Sequence, residues 1–267
     1  MSSDQININI SSSKKPDLKV FSLGRFEVEI AGVKIPPKEW GRDKTIQLFQ
    51  YLICTRQRRA LHKEQIVDGL WPDANVDSGD RDFKVALHGI NKTLEPNRQT
   101  RAEPKFVIRQ GLTYQLNMSH IWLDVDEIET LVEIGNNAIN PKEAVEALKK
   151  AVKLYEGPFL PNRFYEDWSS AERERIQVII LSAIINLAQR LISKNPMETI
   201  RLCEKALAID KTWEDAYRIQ MEAFIKNGNR PQAIKTFALC EKVLDEEFGI
   251  SPLPRTKKLL QEIEAIV

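Results

Sequence analysis

The chain has 267 residues, of which 42% are hydrophobic and 29% are charged, and its formal net charge is +1 at pH 7. This size and composition indicate a soluble globular protein with one large domain or two ordinary ones. No apolar run reaches the roughly 18 residues of a membrane span, and no signal-peptide core is present, so we expect a cytoplasmic protein without a membrane partner. The three cysteines, Cys54, Cys203 and Cys240, lie far apart among apolar residues, which is typical of buried reduced thiols.

The small net charge hides an asymmetry along the chain. Residues 14–120 carry 19 Lys and Arg against 13 Asp and Glu, whereas residues 121–267 carry 20 against 24. The first part therefore has a net charge of +6 and the second part has one of −4. A basic half suits a polyanionic partner such as nucleic acid. We predict three regions: a disordered arm at residues 1–17, one domain at 18–120 and another at 121–267.

The first ordered elements are predicted to be short strands. Residues 19–24, 25–30 and 33–35 alternate in polarity and are separated by turn residues, which predicts a small antiparallel sheet. Pro36 and Pro37 end it. Apolar residues at helical spacing then predict helices at residues 43–56 and 63–70, and Trp71-Pro72 stops the second. Residues 74–79 are rich in turn formers and predict a loop.

Residues 80–94 predict an amphipathic helix with two distinct faces. Phe83, Leu87, Ile90 and Leu94 recur every three or four residues and form an apolar face. The opposite face carries cationic and polar side chains that suit phosphate oxygens and base edges in a DNA major groove. A merely solvated surface is the alternative for such a helix taken alone. The candidate DNA-binding residues on this face are Arg81, Lys84, His88, Asn91 and Lys92.

A β-hairpin is predicted next, because residues 105–116 form two alternating runs around Gln110-Gly111. A sheet, three helices and a hairpin in this order are typical of a winged helix-turn-helix, whose third helix enters the major groove while the hairpin, or wing, lies along the backbone. Arg109 near the wing tip and Lys105 at its base suit contacts to the DNA backbone, and solvated strand residues are the alternative. Arg42 and Lys44, at the start of the first helix, are further candidates for backbone contacts.

From residue 125 onward the sequence predicts helices, after a short link at 121–124. Residues 195–228 form a 34-residue unit that is partly repeated, since residues 199–203 correspond to 233–237. This is the period of tetratricopeptide repeats, in which stacked helix pairs form a curved surface for protein partners. The predicted fold class is mainly α with a small β part: a winged helix-turn-helix followed by an all-α, tetratricopeptide-like repeat domain.

The residues that carry enzyme chemistry are scarce and scattered. His62, His88 and His120 are the three histidines, and none has a cysteine or carboxylate at a metal-ligand spacing. Phosphate-binding and nucleophile-elbow glycine motifs are absent. We therefore predict no catalytic residues, no metal and no cofactor, and hence no enzyme, although catalytic groups assembled by long-range contacts remain an open alternative.

Several short strings resemble known families. Residues 19–118 resemble the OmpR/PhoB-type winged helix in its antibiotic-regulatory (SARP-type) variant, through FSLGRFEV at 21–28, LWPD at 70–73 and VALHGINKTLEP at 85–96. Residues 122–267 resemble the bacterial transcriptional activator domain (BTAD). The strings that carry this second resemblance are LDVDE at 123–127, YEGPFLP at 155–161, EDW at 166–168, ERER at 172–175, CEKAL at 203–207, EDAY at 214–217 and EFGISP at 247–252.

The resemblance implies a transcription activator that binds direct repeats in double-stranded promoter DNA as a homodimer and contacts RNA polymerase. The family's major-groove face falls on the polar face of residues 81–92, and its wing arginine falls on Arg109. His88 and Asn91 stand where many relatives have Ser or Arg, so the base sequence that is read stays open. With no receiver domain ahead of the winged helix, the usual aspartyl phosphorylation is not expected, and the chain resembles the short two-domain form. A repressor and a protein–protein scaffold are the alternatives with the same two domains.

Overall fold

The computed structural model describes residues 16–57 and 60–265. Its contacts divide the chain into two units. The first comprises the chain through Asp124 together with Leu160–Ala171, and the second comprises Val125–Phe159 and the chain from Glu172 onward. Residues 121–124 and 160–171 thus belong with the first unit in the structure, while the domain boundary near residue 120 remains a prediction.

The first unit opens with a four-stranded sheet in the order β3-β2-β1-β7. Strands β1 (Leu18–Phe21), β2 (Glu27–Ile30) and β3 (Val33–Lys34) run antiparallel as predicted. Strand β7 (Ile121–Leu123) pairs in parallel with β1, so the prediction of a plain link at 121–124 was wrong. A three-residue strand is too short for its alternation to stand out, and its partner lies about a hundred residues away in the chain.

A buried carboxylate fixes the junction of these strands. Asp124 is almost fully buried, and its Oδ2 accepts hydrogen bonds from the backbone N–H of Ser22 at 2.7 Å and of Leu23 at 2.9 Å. Its Oδ1 accepts one from the Ser22 hydroxyl at 2.6 Å. A buried charge of this kind is tolerated because hydrogen bonds satisfy it, so these three bonds hold the end of β1 to the residue that follows β7.

Three helices follow: α1 (Asp43–Cys54), α2 (Lys63–Leu70) and α3 (Val76–Leu94). Helix α3 begins four residues before the predicted start, so the predicted loop at 74–79 was wrong over most of its length. Asn75 caps it by accepting a hydrogen bond from Ser78 N at 2.9 Å. Gly79 lies against Val67 of α2, since a β-carbon there would come within 2.6 Å of Val67 Cγ1. Close packing thus keeps helical a stretch of poor helix formers.

The predicted hairpin is confirmed as β5 (Val107–Gln110) and β6 (Thr113–Leu116). A short strand, β4 (Leu61–His62), pairs with β6 and completes a three-stranded sheet in the order β4-β6-β5. Two residues carry no detectable periodicity, so the sequence did not reveal β4. Because Lys63, the first residue of α2, also donates its N–H to Leu112 O at 2.9 Å, the wing is fixed to the start of α2.

Leu160–Ala171 braces α1 within the first unit. Arg163 Nε donates to Gln50 Oε1 at 2.8 Å, and Gln47 Nε2 donates to Glu166 Oε1 at 3.0 Å. The rings of Tyr51 and Trp168 meet edge to face at 5.6 Å. This segment thus supplies partners for both polar atoms of the buried Gln50 side chain and for the amide nitrogen of Gln47.

Residues 1–15 of the predicted arm at residues 1–17 lie outside the described residues. Its last residue, Asp17, is held in place and is not part of an arm. The Asp17 carboxylate contacts Lys105 Nζ at 2.7 Å and His120 Nδ1 at 2.9 Å. Hydrogen bonds from Lys105 and His120 hold the pKa of Asp17 below its ordinary value.

The second unit is mainly helical in its described residues, and no described helix is both long and apolar enough to cross a membrane. The predicted repeat is visible in its caps. Asn195 Oδ1 accepts from Glu198 N at 3.2 Å, and 34 residues later Asn229 Oδ1 accepts from Gln232 N at 3.3 Å. The helices of the array are α4 (Asp124–Asn137), α5 (Pro141–Leu154), α6 (Asp167–Leu191), α7 (Pro196–Ile209), α8 (Glu214–Lys226), α9 (Arg230–Phe248) and α10 (Pro254–Glu264).

The core of the repeat also follows the 34-residue offset. Thr199 and Cys203 of α7 are fully buried, and so is Ala233 of α9, while Phe237 is nearly so. Helix α8 packs between α7 and α9, and α10 packs against α9. The second pair is not an exact copy, because α9 continues to Phe248 and delays the start of its partner helix.

We expect Asp124→Ala to lower the free energy of unfolding of the first unit by about 3 kcal/mol or more, because two buried N–H groups lose their acceptor. Asp124→Asn should cost only about 1 kcal/mol, since the amide oxygen can still accept both N–H bonds and its nitrogen can donate to the Ser22 hydroxyl. Urea unfolding of both variants checks this. Equal losses in the two variants would contradict the role assigned to the Asp124 carboxylate.

Candidate nucleic-acid interface

Helix α3 has a buried face and an exposed face, as predicted, except that Ala86 takes the buried position expected for Leu87. Phe83, Ile90 and Leu94 are buried, and Ala86 is buried with them. Leu87, which was predicted for the apolar face, is only partly buried and lines a groove beside the wing. Ala86 points to the middle of the core and Leu87 to its edge, a difference that periodicity alone does not resolve.

The helix is held by close contacts on its inner side. A β-carbon on Gly89 would lie 2.8 Å from both Cγ2 and Oγ1 of Thr45, so α3 passes α1 at a distance that only glycine allows. The rings of Phe83 and Tyr114 meet edge to face at 4.9 Å and fix α3 against the wing strand β6. These contacts set the height and rotation of the exposed face.

The centre of the exposed face carries Arg81, Val85, His88 and Lys92. Their spacings of four, three and four residues place them along one line of the helix. All four side chains are exposed. Val85 was not predicted as a site residue, although it is 41% exposed and lies one turn after Arg81. The sequence contained a signal for this position, because Val85 lies four residues after Arg81 and therefore on the same polar face of the helix.

A groove of about 360 Å³ separates α3 from the wing. It brings together four residues that were predicted separately for the helix and for the wing: Lys84, His88, Asn91 and Arg109. Asn91 is half-buried, and its Oδ1 is buried without a hydrogen-bond partner among the described residues. With its short side chain, Asn91 is therefore the least free of the four to reach a base edge.

Asp80 bridges two lysines at this groove. Its Oδ2 lies 2.6 Å from Lys84 Nζ, and its Oδ1 is hydrogen-bonded to Lys63 Nζ of α2. Hydrogen bonds from Lys63 and Lys84 hold the pKa of the Asp80 carboxyl below its ordinary value. The hydrogen bond between Lys63 and Asp80 also raises the pKa of Lys63. Because the pKa of Asp80 is lowered in the folded protein, its ion pairs with Lys63 and Lys84 are present at neutral pH and are lost as the pH falls through the pKa of the folded state.

Arg109 is oriented at the wing tip by its own hairpin. Its Nε donates to Gly111 O at 2.8 Å, and its guanidinium lies 5.9 Å from the centre of the Tyr114 ring. The side chain is exposed and lines the groove next to α3. A positioned, exposed guanidinium at a hairpin tip suits a phosphate or a minor-groove edge.

Arg42 and Lys44 line a second groove on the other flank of α3, together with Val85 and Asp82. Lys44 Nζ donates to Leu70 O at 2.6 Å and lies 5.5 Å from the ring centre of Trp71. The exposed face of α3 is therefore flanked by cations on both sides, from α1 on one and from the wing on the other.

Lys105 lies apart from these residues. It lines a groove with the N-terminal sheet and the end of α3, where its ammonium pairs with Asp17 and its backbone N–H donates to Glu95 Oε1 at 2.9 Å. The structure thus does not bring Lys105 together with the other predicted contacts, and its role on DNA stays a prediction.

The remaining histidines have structural contacts. His62 Nδ1 accepts a hydrogen bond from Glu64 N at the start of α2, and His120 contacts Asp17. The described residues contain no group of three or more side chains able to hold a metal ion.

The described elements form a winged helix followed by an array of helix pairs. The family model described as "Bacterial transcriptional activator domain" matches residues 123–264, more than half of the sequence, so the chain belongs to the bacterial transcriptional activator domain family. This membership confirms the resemblance to the bacterial transcriptional activator domain that was drawn from the sequence. A comparison with curated proteins finds no match.

Among solved structures, the chain is similar to "Mycobacterium tuberculosis EmbR in complex with low affinity phosphopeptide", with a TM-score of 0.77 and 16% sequence identity. The match covers 94% of this chain and 65% of that chain. At this identity the likeness concerns the fold alone, and it confirms the predicted fold class of a winged helix followed by a helical domain.

We expect the effect of Gly89→Ala to change sign with the residue at position 45. In the native background the new methyl group meets the buried Thr45 side chain, and the overpacking cost of about 1–3 kcal/mol exceeds the helix-propensity gain of about 1 kcal/mol. In a Thr45→Ala background the contact is relieved, and the same change should stabilise the protein. Urea unfolding of the four proteins measures this coupling, and an equal effect in both backgrounds would refute it.

Proposed function

We propose that the protein is a sequence-specific DNA-binding transcription activator, which binds direct repeats in promoter DNA through its winged helix and recruits RNA polymerase. The observation that carries the proposal is the exposed line of α3, from Arg81 to Lys92, flanked on both sides by cations. An α-helix of this kind fits the major groove of B-form DNA, which is about 12 Å wide.

The division of labour follows from the side chains. Arg81 and Lys84 supply the donors that suit guanine O6 and N7. Val85, which follows Lys84 and lies one turn after Arg81, supplies an apolar surface for a thymine methyl group. His88 and Lys92 continue the same line towards the end of the helix. Val85 extends the predicted set of base-reading residues, and Asn91 becomes a smaller contributor because it is half-buried.

Phosphate contacts are proposed for the flanks. Arg109 lies at the wing tip on one side, and Arg42 and Lys44 lie at the start of α1 on the other. Contacts of this kind fix the register on DNA, supply most of the affinity and make that affinity dependent on salt. Lys105 joins them only if DNA displaces Asp17 from its ammonium.

The second unit is proposed to meet RNA polymerase. Membership of the activator-domain family supports this assignment, and stacked helix pairs are suited to protein partners. Two copies bound side by side on a direct repeat would form the homodimer that the resemblance implies.

Selection of bound sites from random double-stranded DNA, with the whole chain as bait, tests the proposal. It should enrich one half-site in two copies that have the same orientation. Failure to enrich any sequence, combined with release from a heparin column at low salt, would support the rival scaffold function and overturn DNA binding. Transcription in vitro from a promoter with the selected site should rise with added protein, and a fall would identify a repressor.

Arg81→Ala and Lys84→Ala should each weaken binding to the selected site by about 1–3 kcal/mol, because each removes a side chain assigned to a base edge. Lys257→Ala, on the exposed surface of α10, removes the same charge from the second unit and serves as the control. Gel-shift titration at fixed salt measures all three. Equal affinities for the native protein and the two α3 variants would exclude this face as the reading surface.

Arg109→Ala should weaken binding to all sequences alike and make the salt dependence of log K shallower by about one unit, as expected for a lost phosphate contact. The sequence preference should not change. A matched measurement on Lys105→Ala decides whether the base of the hairpin also meets DNA. A change in preferred sequence without a change in salt dependence would instead assign Arg109 to a base edge.

A further inference from the structure

We infer that Asp80 is a specificity-determining residue, which restrains Lys63 and Lys84 from binding DNA through phosphates alone. The inference rests on the DNA-binding function proposed above. The inference starts from the position of the Asp80 carboxylate, because a negative charge opposes the approach of the DNA phosphates to this surface. Asp80 lines the groove between α3 and the wing, among residues assigned to DNA.

Asp80 is engaged by two cations that come from different helices. Lys63 begins α2, and Lys84 lies one turn beyond Asp80 on α3. The two lysines occupy different oxygens of the carboxylate, Lys63 on Oδ1 and Lys84 on Oδ2. The pairing therefore leaves a single net positive charge on three side chains that would otherwise present two free cations.

The two lysines differ in how freely their side chains can leave Asp80 and contact DNA. The side chain of Lys63 is 24% exposed, whereas that of Lys84 is 71% exposed. Lys63 therefore anchors the carboxylate, while Lys84 can leave it when a better acceptor arrives. An aspartate carboxyl is ionised at neutral pH even without a shift, and both lysines lower the pKa of Asp80 further, so Lys84 always has this competing partner.

Two kinds of DNA compete differently with this carboxylate. At a non-specific site the acceptors are the phosphates of the DNA backbone, and the negative charge of Asp80 repels these phosphates at close range. A specific site offers acceptors inside the major groove, such as guanine O6 and N7, directly to Lys84. It also offers the cytosine N4 amino group, which can donate to the Asp80 oxygen that Lys84 vacates. Asp80 thus disfavours binding through the backbone more than binding through base edges.

Asp82 provides a matched control two residues away. It belongs to the same helix but lines the other groove, beside Arg42 and Lys44. Its contact is with the adjacent Arg81, whose Nε lies 3.3 Å from Asp82 Oδ1. Removing the Asp82 charge changes the net charge of α3 by the same amount as removing that of Asp80. It releases one arginine from a weak, exposed pair, which contributes little, and does not free two lysines that share a carboxylate.

The test compares the native chain with Asp80→Asn, Asp80→Glu and Asp82→Asn. Binding is measured by fluorescence anisotropy on the selected site and on a scrambled duplex of the same length and composition, at graded salt. Asp80→Asn should bind scrambled DNA more tightly, with a salt dependence of log K steeper by about 0.9 for each lysine released. Its preference for the selected site should fall by roughly fivefold or more, comparable to one mismatched base pair.

The control variants should behave differently. Asp82→Asn should tighten binding to both duplexes by the same factor and keep the native preference, whereas Asp80→Glu should stay close to the native protein because the charge is retained. If Asp80→Asn keeps the native preference, or matches Asp82→Asn, the inference is overturned while the proposed function stands. If the native chain itself does not distinguish the two duplexes, the proposed function fails and the inference fails with it.

Discussion

The structure of the candidate interface depends on the close approach of α3 to α1 at Gly89 and Thr45. With a larger residue at position 89 the helix would have to lift or rotate, because Thr45 is itself buried and cannot move aside. The approach buries Phe83 and Ile90 and, as a direct consequence, turns Arg81, Val85 and His88 outward. The wing is tied to the same frame, since Tyr114 packs on Phe83 and the start of α2 bonds to Leu112. The relative positions of helix and wing are therefore set by core packing, independently of any DNA.

Two lysines of this surface already have partners within the protein, and this changes how they are expected to act. Lys84 is paired with Asp80, and Lys44 with the carbonyl at the end of α2. Lys105, away from this surface, is likewise paired with Asp17. Each would exchange a protein acceptor for a DNA acceptor, so its net contribution depends on the difference between the two. Arg81 and Arg109 make weaker or purely orienting contacts, so they are the more direct contributors to binding. A uniform positive patch would bind any polyanion, whereas partly satisfied cations favour a ligand that offers better acceptors in the right places.

The second unit obtains its regularity from short local signals that recur. Asn195 and Asn229 cap their helices in the same way, 34 residues apart, and the buried positions of α7 and α9 follow the same offset. The described residues hold no group of three or more side chains that could bind a metal ion, and this unit carries the match to the bacterial transcriptional activator domain family. Asp124, whose carboxylate clamps β1, is also the first residue of α4.

Elements with long, local signals could be predicted from the residues alone: the amphipathic α3, the hairpin, the helix pairs and the fold class that they imply. The polar face of α3 could be predicted in the same way, because helical spacing sorts residues onto faces. The other features depend on contacts between distant parts of the chain. The tertiary structure added β7 and β4, strands of three and two residues whose partners are distant in the chain, and it started α3 at Val76 through contacts of Gly79. It attached Leu160–Ala171 to α1, and it set Lys105 apart from the wing tip. Above all it paired Asp80 with Lys63 and Lys84, because an ion pair between two helices leaves no periodic trace in either of them.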